Sequence, residues 1–170
     1  RMRIYQDDLD LGSLENAEIG LVKNANPLIV GGNSFVGNLH DLRFWSKALT
    51  LSEAYAGMYN RLMGKERHLV GYWPMNDGHG TYARDLARFK HALLEAEWDI
   101  KPKGTAYDFR SGQYLVLDNV NFVQLTDLMD VTLSFWMKTA DRQKATLFSN
   151  GRGNGDDQVQ SNGKANKWAV

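Results

Sequence analysis

The chain has 170 residues, enough for one well-buried domain, and its 43% hydrophobic content excludes a disordered chain. Its 20 basic and 20 acidic residues balance, so charge gives no reason to expect a nucleic-acid partner. No apolar run is long enough to insert into a membrane, and the absence of cysteine excludes disulfides, thiolate zinc sites and a cysteine nucleophile.

The first third of the chain predicts short strands in MRIYQDDLDLG, PLIVGGN and FVGNLHDLRFW. In the last of these, Leu42 and Phe44 share one face by the strand period of two. Leu39 falls on the other face, so a bulge between Leu39 and Leu42 is needed to bring all three to the core.

A helix follows directly. Thr50 and Glu53 form a T-x-x-E capping box, which predicts the start of that helix. Apolar residues then recur at helical spacing, and Gly64 supplies a stop. The residues with this spacing are Leu51, Ala54, Tyr55, Met58 and Leu62.

The rest of the chain predicts further short strands at LVGYWPM, HALLEAEW, QYLVLD, VTLSFWMK, ATLFSN and KWAV. The clearest alternation places Leu133 and Phe135 on one face and Trp136 on the other. Eight to ten short strands with one short helix predict an all-β fold, an antiparallel β-sandwich or jelly roll.

Several segments resemble the LamG-like, concanavalin A-like jelly rolls, which include the laminin G/pentraxin modules of bacterial surface proteins. FVGNLHDLRFWSKALTLSEA is similar to the last strand of such a domain, and HLVGYWPMNDGHGTYARDLARFKHALL is similar to the first. YDFRSGQYLVLD, VTLSFWMKT and LFSNG resemble the strands that come next.

The order of these segments implies two parts. Residues 1–64 resemble the C-terminal half of one module, residues 65–68 are a connector, and residues 69–170 resemble the N-terminal half of a following module. Half a jelly roll leaves strand edges unpaired, so we expect the two parts to complement each other as in a permuted jelly roll, or to pair with neighbouring chains.

The resemblance implies a non-catalytic extracellular or cell-surface module, from a bacterial protein, that binds a glycan or a surface protein. Its other partners would be neighbouring modules of the same polypeptide. The alternative is a structural spacer in a large surface protein, because this fold serves many functions. A solvent-exposed aromatic residue on a concave face would favour binding, and a flat polar face would favour the spacer.

The resemblance also implies a calcium ion. Asp85 stands where such domains place an aspartate after the first-strand turn, Asp77 lies nearby in NDGHG, and Asp41 is the acidic residue of the last strand. Hard cations need several oxygen ligands, which clustered aspartates supply. The segment DLARFK departs from the usual Asp-x-Ser-Gly-Asn, which removes small polar ligands from this site.

Two further features are candidates for ligand contact. Trp136 points away from the apolar face of its strand, so either its ring is exposed, where a sugar can stack on it, or it packs against the opposite layer. Asp156 and Asp157, in the polar glycine-rich loop NGRGNGDDQVQSNGKAN, could contact calcium or a glycan, but a plain solvated loop is the preferred interpretation.

A glycoside hydrolase is the third alternative. The glucanases of this superfamily carry a Glu-x-Asp-x-x-Glu strand, and this chain has no such motif. The nearest feature is EAEWD, in which Glu95, Glu97 and Asp99 would line one face of a single strand, with neighbouring carboxylates about 6.5–7 Å apart. A solvated strand face is the simpler interpretation, and the chain is predicted not to be an enzyme.

Overall fold

The structure is a computed structural model of the chain. It describes part of the chain, in several ranges between residues 2 and 149. These are residues 2–7, 9–14, 27–32, 35–88, 91–95, 97–101, 104–110, 112–117, 130–140, 145 and 147–149. Every structural statement below concerns these ranges.

The described residues form twelve β-strands and one α-helix. The strands are β1 (Met2–Gln6), β2 (Leu9–Leu14), β3 (Leu28–Gly31), β4 (Gly37–Trp45), β5 (Leu69–Trp73), β6 (Tyr82–Ala83), β7 (Ala92–Glu95), β8 (Glu97–Lys101), β9 (Gly104–Phe109), β10 (Tyr114–Leu117), β11 (Thr132–Lys138) and β12 (Phe148–Ser149). The helix is α1 (Leu51–Met58). The predicted all-β class with a short helix is therefore confirmed.

The strands form three antiparallel sheets. Strands β1 and β2 make a hairpin of their own. Sheet I has the order β12-β3-β10-β7-β6. Sheet II has the order β11-β4-β9-β8, and β5 also pairs with β4.

One hydrophobic core takes side chains from both five-stranded sheets, as in a β-sandwich. Fully buried members include Val30, Leu115 and Leu117 from sheet I and Leu39, Leu42, Trp73 and Phe109 from sheet II. Burying a leucine or phenylalanine side chain of this kind contributes about 1.5–3 kcal/mol. The sandwich is thus held together by the facing sides of the two sheets.

The predicted bulge lies in β4. His40 pairs with Trp136 and Arg43 with Ser134, so two residues of β4, Asp41 and Leu42, lie opposite one residue of β11. Asp41 has φ of 59°, a left-handed conformation that aspartate tolerates better than most residues. The extra residue brings Leu39 and Leu42 to the same core, as the sequence pattern requires.

The capping box is also confirmed. The Glu53 N–H donates to the Thr50 hydroxyl oxygen at 3.2 Å, and the Thr50 N–H donates to the Glu53 carboxylate at 3.0 Å. The expected length of the helix was wrong, because α1 ends at Met58 and buries none of its own residues. The Asn60 side-chain amide donates to the carbonyl of Ala56, and this local bond ends the helix before Leu62.

Gly64 has a different role from the expected helix stop. Its φ is 83°, and a Cβ atom at this position would lie 2.1 Å from the Leu86 carbonyl oxygen. The glycine therefore permits a close approach between two backbone segments. No helix in the described ranges has the length and hydrophobicity of a membrane span.

The two parts of the chain share both five-stranded sheets. Strand β3 lies between β10 and β12, and β4 lies between β11 on one edge and β5 and β9 on the other. Residues 1–64 and residues 69–170 therefore do not form separate sheets at these strands. Their assignment as halves of LamG-like modules stays a prediction.

The EAEWD segment does not form one strand. Glu95 ends β7 in sheet I, whereas Glu97 and Asp99 lie in β8 of sheet II. The single strand with three carboxylates on one face, which the hydrolase alternative uses, is therefore wrong. The chain crosses between the two sheets at this point, and a periodicity of two cannot detect such a crossing.

Candidate functional site

A groove of about 310 Å³ lies on the side of sheet II that faces away from the core. It is formed by β4, β11, the end of β5 with the residues after it, and the segment at the end of α1. Its lining residues are His40, Asp41, Met58, Tyr59, Asn60, Arg61, Tyr72, Pro74, Asn76 and Trp136. The volume is at the lower end of the range for small-molecule sites.

Two aromatic rings meet in this groove. The rings of Tyr59 and Trp136 have centroids 5.5 Å apart and planes inclined at 48°. Tyr59 is 77% exposed, and Trp136 is half-buried. The outward direction of Trp136 agrees with the prediction, since Leu133 and Phe135 of the same strand pack against the core.

Strand β4 contains a buried ion pair between Asp41 and Arg43, and Asp41 also lines the groove. The Arg43 Nε atom donates to Asp41 Oδ1 at 3.2 Å, and its Nη2 atom donates to Oδ2 of the same carboxylate. The ring of Tyr72 lies 5.8 Å from the guanidinium carbon of Arg43. Burial, and next the Asp41 carboxylate, raise the pKa of Tyr72 from its ordinary value of 10.0 to about 12.

Polar groups surround the aromatic pair. Arg61 and Asn76 are exposed, and neither forms a hydrogen bond or an ion pair with a described residue. The Nδ1 atom of His40 is buried and has no hydrogen-bond partner among the described residues. Asn76 can donate to and accept from a bound molecule and Arg61 can donate to it, whereas Asp41 is held by Arg43.

Asp85 lies outside the groove and is 1% exposed. Its Oδ1 atom accepts hydrogen bonds from the N–H of Tyr72 at 2.9 Å and of Ala87 at 2.8 Å. Its Oδ2 atom accepts from the N–H of Arg88 at 3.1 Å. A buried carboxylate with three backbone donors closes the turn after β6 and ties that turn to β5.

Asp77 is held in a similar way by one residue. Its Oδ1 atom pairs with Nε of Arg84, and its Oδ2 atom accepts from the Arg84 N–H at 3.2 Å. The side chain of Asp77 is 7% exposed. Arg84 thus neutralises the carboxylate with its guanidinium and donates a further hydrogen bond from its backbone N–H.

The three aspartates do not fit a shared calcium site. Each carboxylate already accepts from a guanidinium or from backbone N–H groups, and a calcium ion would have to displace these donors. Within the described ranges, no cluster of three or more histidine, aspartate or glutamate side chains could hold a metal ion. Calcium binding by the chain stays a prediction.

The remaining candidates have different outcomes. Asp156 and Asp157 lie outside the described residues. Trp73 is fully buried in the core, and Trp45 packs against a second cluster of Leu62, Leu69 and Tyr72. Of the six predicted site residues, the structure thus brings Trp136 and Asp41 together in one groove.

Tyr59 and Arg43 were not predicted from the sequence as residues of the site. Tyr59 lies between the predicted cap at Thr50 and the predicted stop at Gly64, one turn after Tyr55, where helical spacing gives no sign of an exposed ring. Arg43 alternates with Leu42 and Phe44, so its outward direction could have been inferred, but its partners at Gly57 and Asn60 could not. Both residues obtain their role from the position of α1 on sheet II.

Comparisons of the chain with family models, with curated proteins and with solved structures gave no match. The resemblance to LamG-like jelly rolls therefore stays a prediction that depends on the quoted motifs.

Proposed function

We propose that the chain is a non-catalytic binding module that holds a glycan in the groove between Tyr59 and Trp136. In keeping with the resemblance, the module would belong to an extracellular or cell-surface protein of a bacterium. A surface protein that presents a glycan is the corresponding macromolecular partner.

The pair of partly exposed rings carries this proposal. A large aromatic side chain usually gains stability by full burial, but Tyr59 leaves 77% of its surface exposed beside the half-buried Trp136. The rings offer an apolar platform in a concave site with polar neighbours. Sugars match such a platform, because one face of a pyranose ring is lined by C–H groups and its rim carries hydroxyls.

The polar neighbours support the same ligand class. Asn76 and Arg61 line the groove and have no hydrogen bond to another described residue. An amide accepts and donates, and a guanidinium donates several hydrogen bonds, so both suit the hydroxyls of a sugar. The groove with its two partly exposed rings favours binding over the spacer.

The carboxylates support a binding role over a hydrolytic one. Glycoside hydrolysis needs a pair of carboxyl groups that flank the bond. Among the described lining residues the only carboxylate is Asp41, and both of its oxygens accept from Arg43. This carboxylate cannot act as acid or base without breaking a buried ion pair.

The proposal is tested on a glycan array followed by calorimetry with the glycan that binds best. Trp136→Ala should weaken binding about tenfold or more, since truncating a central aromatic residue costs more than about 1.4 kcal/mol. The matched control is Tyr82→Ala, which removes an aromatic ring that is 57% exposed on β6 and does not line the groove. It should leave the affinity unchanged.

Two results would overturn the proposal. One is the absence of binding across the array, which would favour the structural spacer. The other is an equal loss of affinity in Trp136→Ala and Tyr82→Ala, which would place the glycan away from the groove.

A further inference from the structure

The buried guanidinium of Arg43 binds the backbone on both sides of Tyr59. Its Nη1 atom donates to the carbonyl of Gly57 at 2.7 Å, and its Nη2 atom donates to the carbonyl of Asn60 at 2.8 Å. Arg43 itself is 5% exposed and does not line the groove. Since α1 ends at Met58, Tyr59 lies between the two carbonyls that Arg43 holds.

These two bonds satisfy a need of the helix end. The last carbonyls of a helix lack partners within the helix, and a positive charge is favourable there. The last turn of α1 has no basic residue of its own. The Gly57 carbonyl already accepts from the Asn60 N–H at 3.1 Å, so Arg43, which belongs to the sheet, adds a second donor to it and brings the positive charge.

The direction of the guanidinium is itself determined by the sheet. Asp41 binds it through both carboxylate oxygens, and the Tyr72 ring lies against it. A guanidinium is a planar fork with donors in fixed directions, so a guanidinium oriented by one partner also orients the others. Lysine has the same charge but cannot bind all these acceptors in one plane.

We propose that Arg43 is a positioning residue for the groove, because its bonds to Gly57 and Asn60 place the Tyr59 ring against Trp136. In this arrangement the ion pair with Asp41 fixes the guanidinium of Arg43, and the guanidinium fixes the position of the Tyr59 ring relative to the Trp136 ring. The consequence for ligand binding rests on the proposed function, whereas the effect on the rings does not require a ligand.

The effect on the rings can be measured by ¹⁹F NMR of protein labelled with 5-fluorotryptophan. The resonance of Trp136 is identified by its loss in Trp136→Phe. Tyr59→Ala should shift this resonance, because it removes the neighbouring ring. Arg43→Lys should shift it in the same direction, and Arg43→Lys combined with Tyr59→Ala should add little to the shift of Tyr59→Ala alone.

The control weakens the other end of the helix. Glu53→Gln removes the ion pair with Lys47 and alters the capping box, but Glu53 lies in the first turn of α1, at the opposite end of the helix from Tyr59. It should lower the stability of α1 and leave the Trp136 resonance in place. A residue that contributes only stability would behave like Glu53 in this experiment.

A second variant covers the case in which Arg43→Lys does not fold. Asp41→Asn keeps the shape of the side chain and removes the charge that orients Arg43, so a smaller shift in the same direction is expected. An unshifted Trp136 resonance in the folded variant, Arg43→Lys or Asp41→Asn, would overturn the proposal.

Calorimetry then separates this proposal from the proposed function. With a glycan that binds, Arg43→Lys should weaken the affinity by the same factor as Tyr59→Ala, with no further loss in the double variant. If no glycan binds, the proposed function fails, and the ¹⁹F shifts still decide whether Arg43 positions Tyr59.

Discussion

The backbone N–H of Tyr72 donates to Oδ1 of Asp85 at 2.9 Å, although 13 positions separate the two residues. The same carboxylate accepts from the N–H groups of Ala87 and Arg88. One buried side chain therefore joins β5 to the turn after β6. This geometry gives Asp85 a role in stability, whereas the resemblance implies a role in metal binding.

Asp85→Ala should lower the free energy of unfolding by about 3 kcal/mol, because it leaves buried N–H groups without an acceptor. Asp85→Asn should cost less, since the amide keeps one acceptor oxygen. Urea denaturation of the two variants and the wild type measures both effects. A change of less than about 0.5 kcal/mol in Asp85→Ala would contradict this role.

Calcium should not stabilise the protein through Asp41, Asp77 or Asp85, because each carboxylate already has its donors. These three residues should therefore contribute nothing to any difference between the melting temperature measured in calcium and the one measured in chelator. A calcium-dependent rise that disappears in Asp77→Asn would show that the ion displaces Arg84. A rise that disappears in Asp156→Asn or Asp157→Asn would instead place the ion in the glycine-rich loop.

Glu53 should make the stability of the helix depend on acid pH. The Lys47 ammonium first, and then the hydrogen bonds of Thr50, lower the pKa of Glu53 to about 2. A lowered pKa in the folded state means that the stabilising effect is present above the ordinary value of 4.5 and is lost as the pH falls towards 2.

The difference in unfolding free energy between wild type and Glu53→Gln should therefore shrink over that acid range. Urea denaturation at several pH values measures it. Because the carboxylate is exposed, added salt should reduce the difference at neutral pH. A difference that is independent of pH would contradict the prediction.

Tyr72 should make the free energy of unfolding depend on pH in the alkaline range. Its pKa is raised from 10.0 to about 12, so the folded state keeps the phenol proton where the unfolded chain loses it. The resulting stabilisation is fully present below pH 10 and is lost as the pH rises towards 12. Tyr72→Phe should therefore reduce the fall in unfolding free energy over this range.

Denaturant unfolding at alkaline pH provides the measurement. Tyr55→Phe is the matched control, since Tyr55 is 48% exposed on α1 and should leave the slope unchanged. Burial also raises the pKa of Tyr107, so part of the slope should remain in Tyr72→Phe. Equal slopes in wild type and Tyr72→Phe would contradict the prediction.

Local patterns predicted the features that depend on neighbours in sequence. The capping box of Thr50 and Glu53 and the outward direction of Trp136 follow from helix and strand geometry alone. The bulge in β4 was predictable because Leu39 and Leu42 are both apolar and must reach the same core. Spacing failed for the end of α1, where Asn60 bonds to Ala56.

Local sequence patterns could not predict the contacts between segments that are distant in the chain. The resemblance implied a metal-ligand role for Asp41, but the ion pair with Arg43, with the helix end against it, buries both side chains. EAEWD looked like one strand because its alternation is regular, and only the pairing partners divide it between two sheets.

The sequence by itself determined the all-β class, the helix start and the faces of β4 and β11, because hydrophobic periodicity and capping act over a few residues. The tertiary structure alone decided which carboxylates have partners and which aromatic rings meet. Those outcomes depend on backbone donors and a guanidinium that come from distant positions, as when Arg43 reaches Gly57 and Asn60. A buried charge requires such partners, and only the folded chain brings them together.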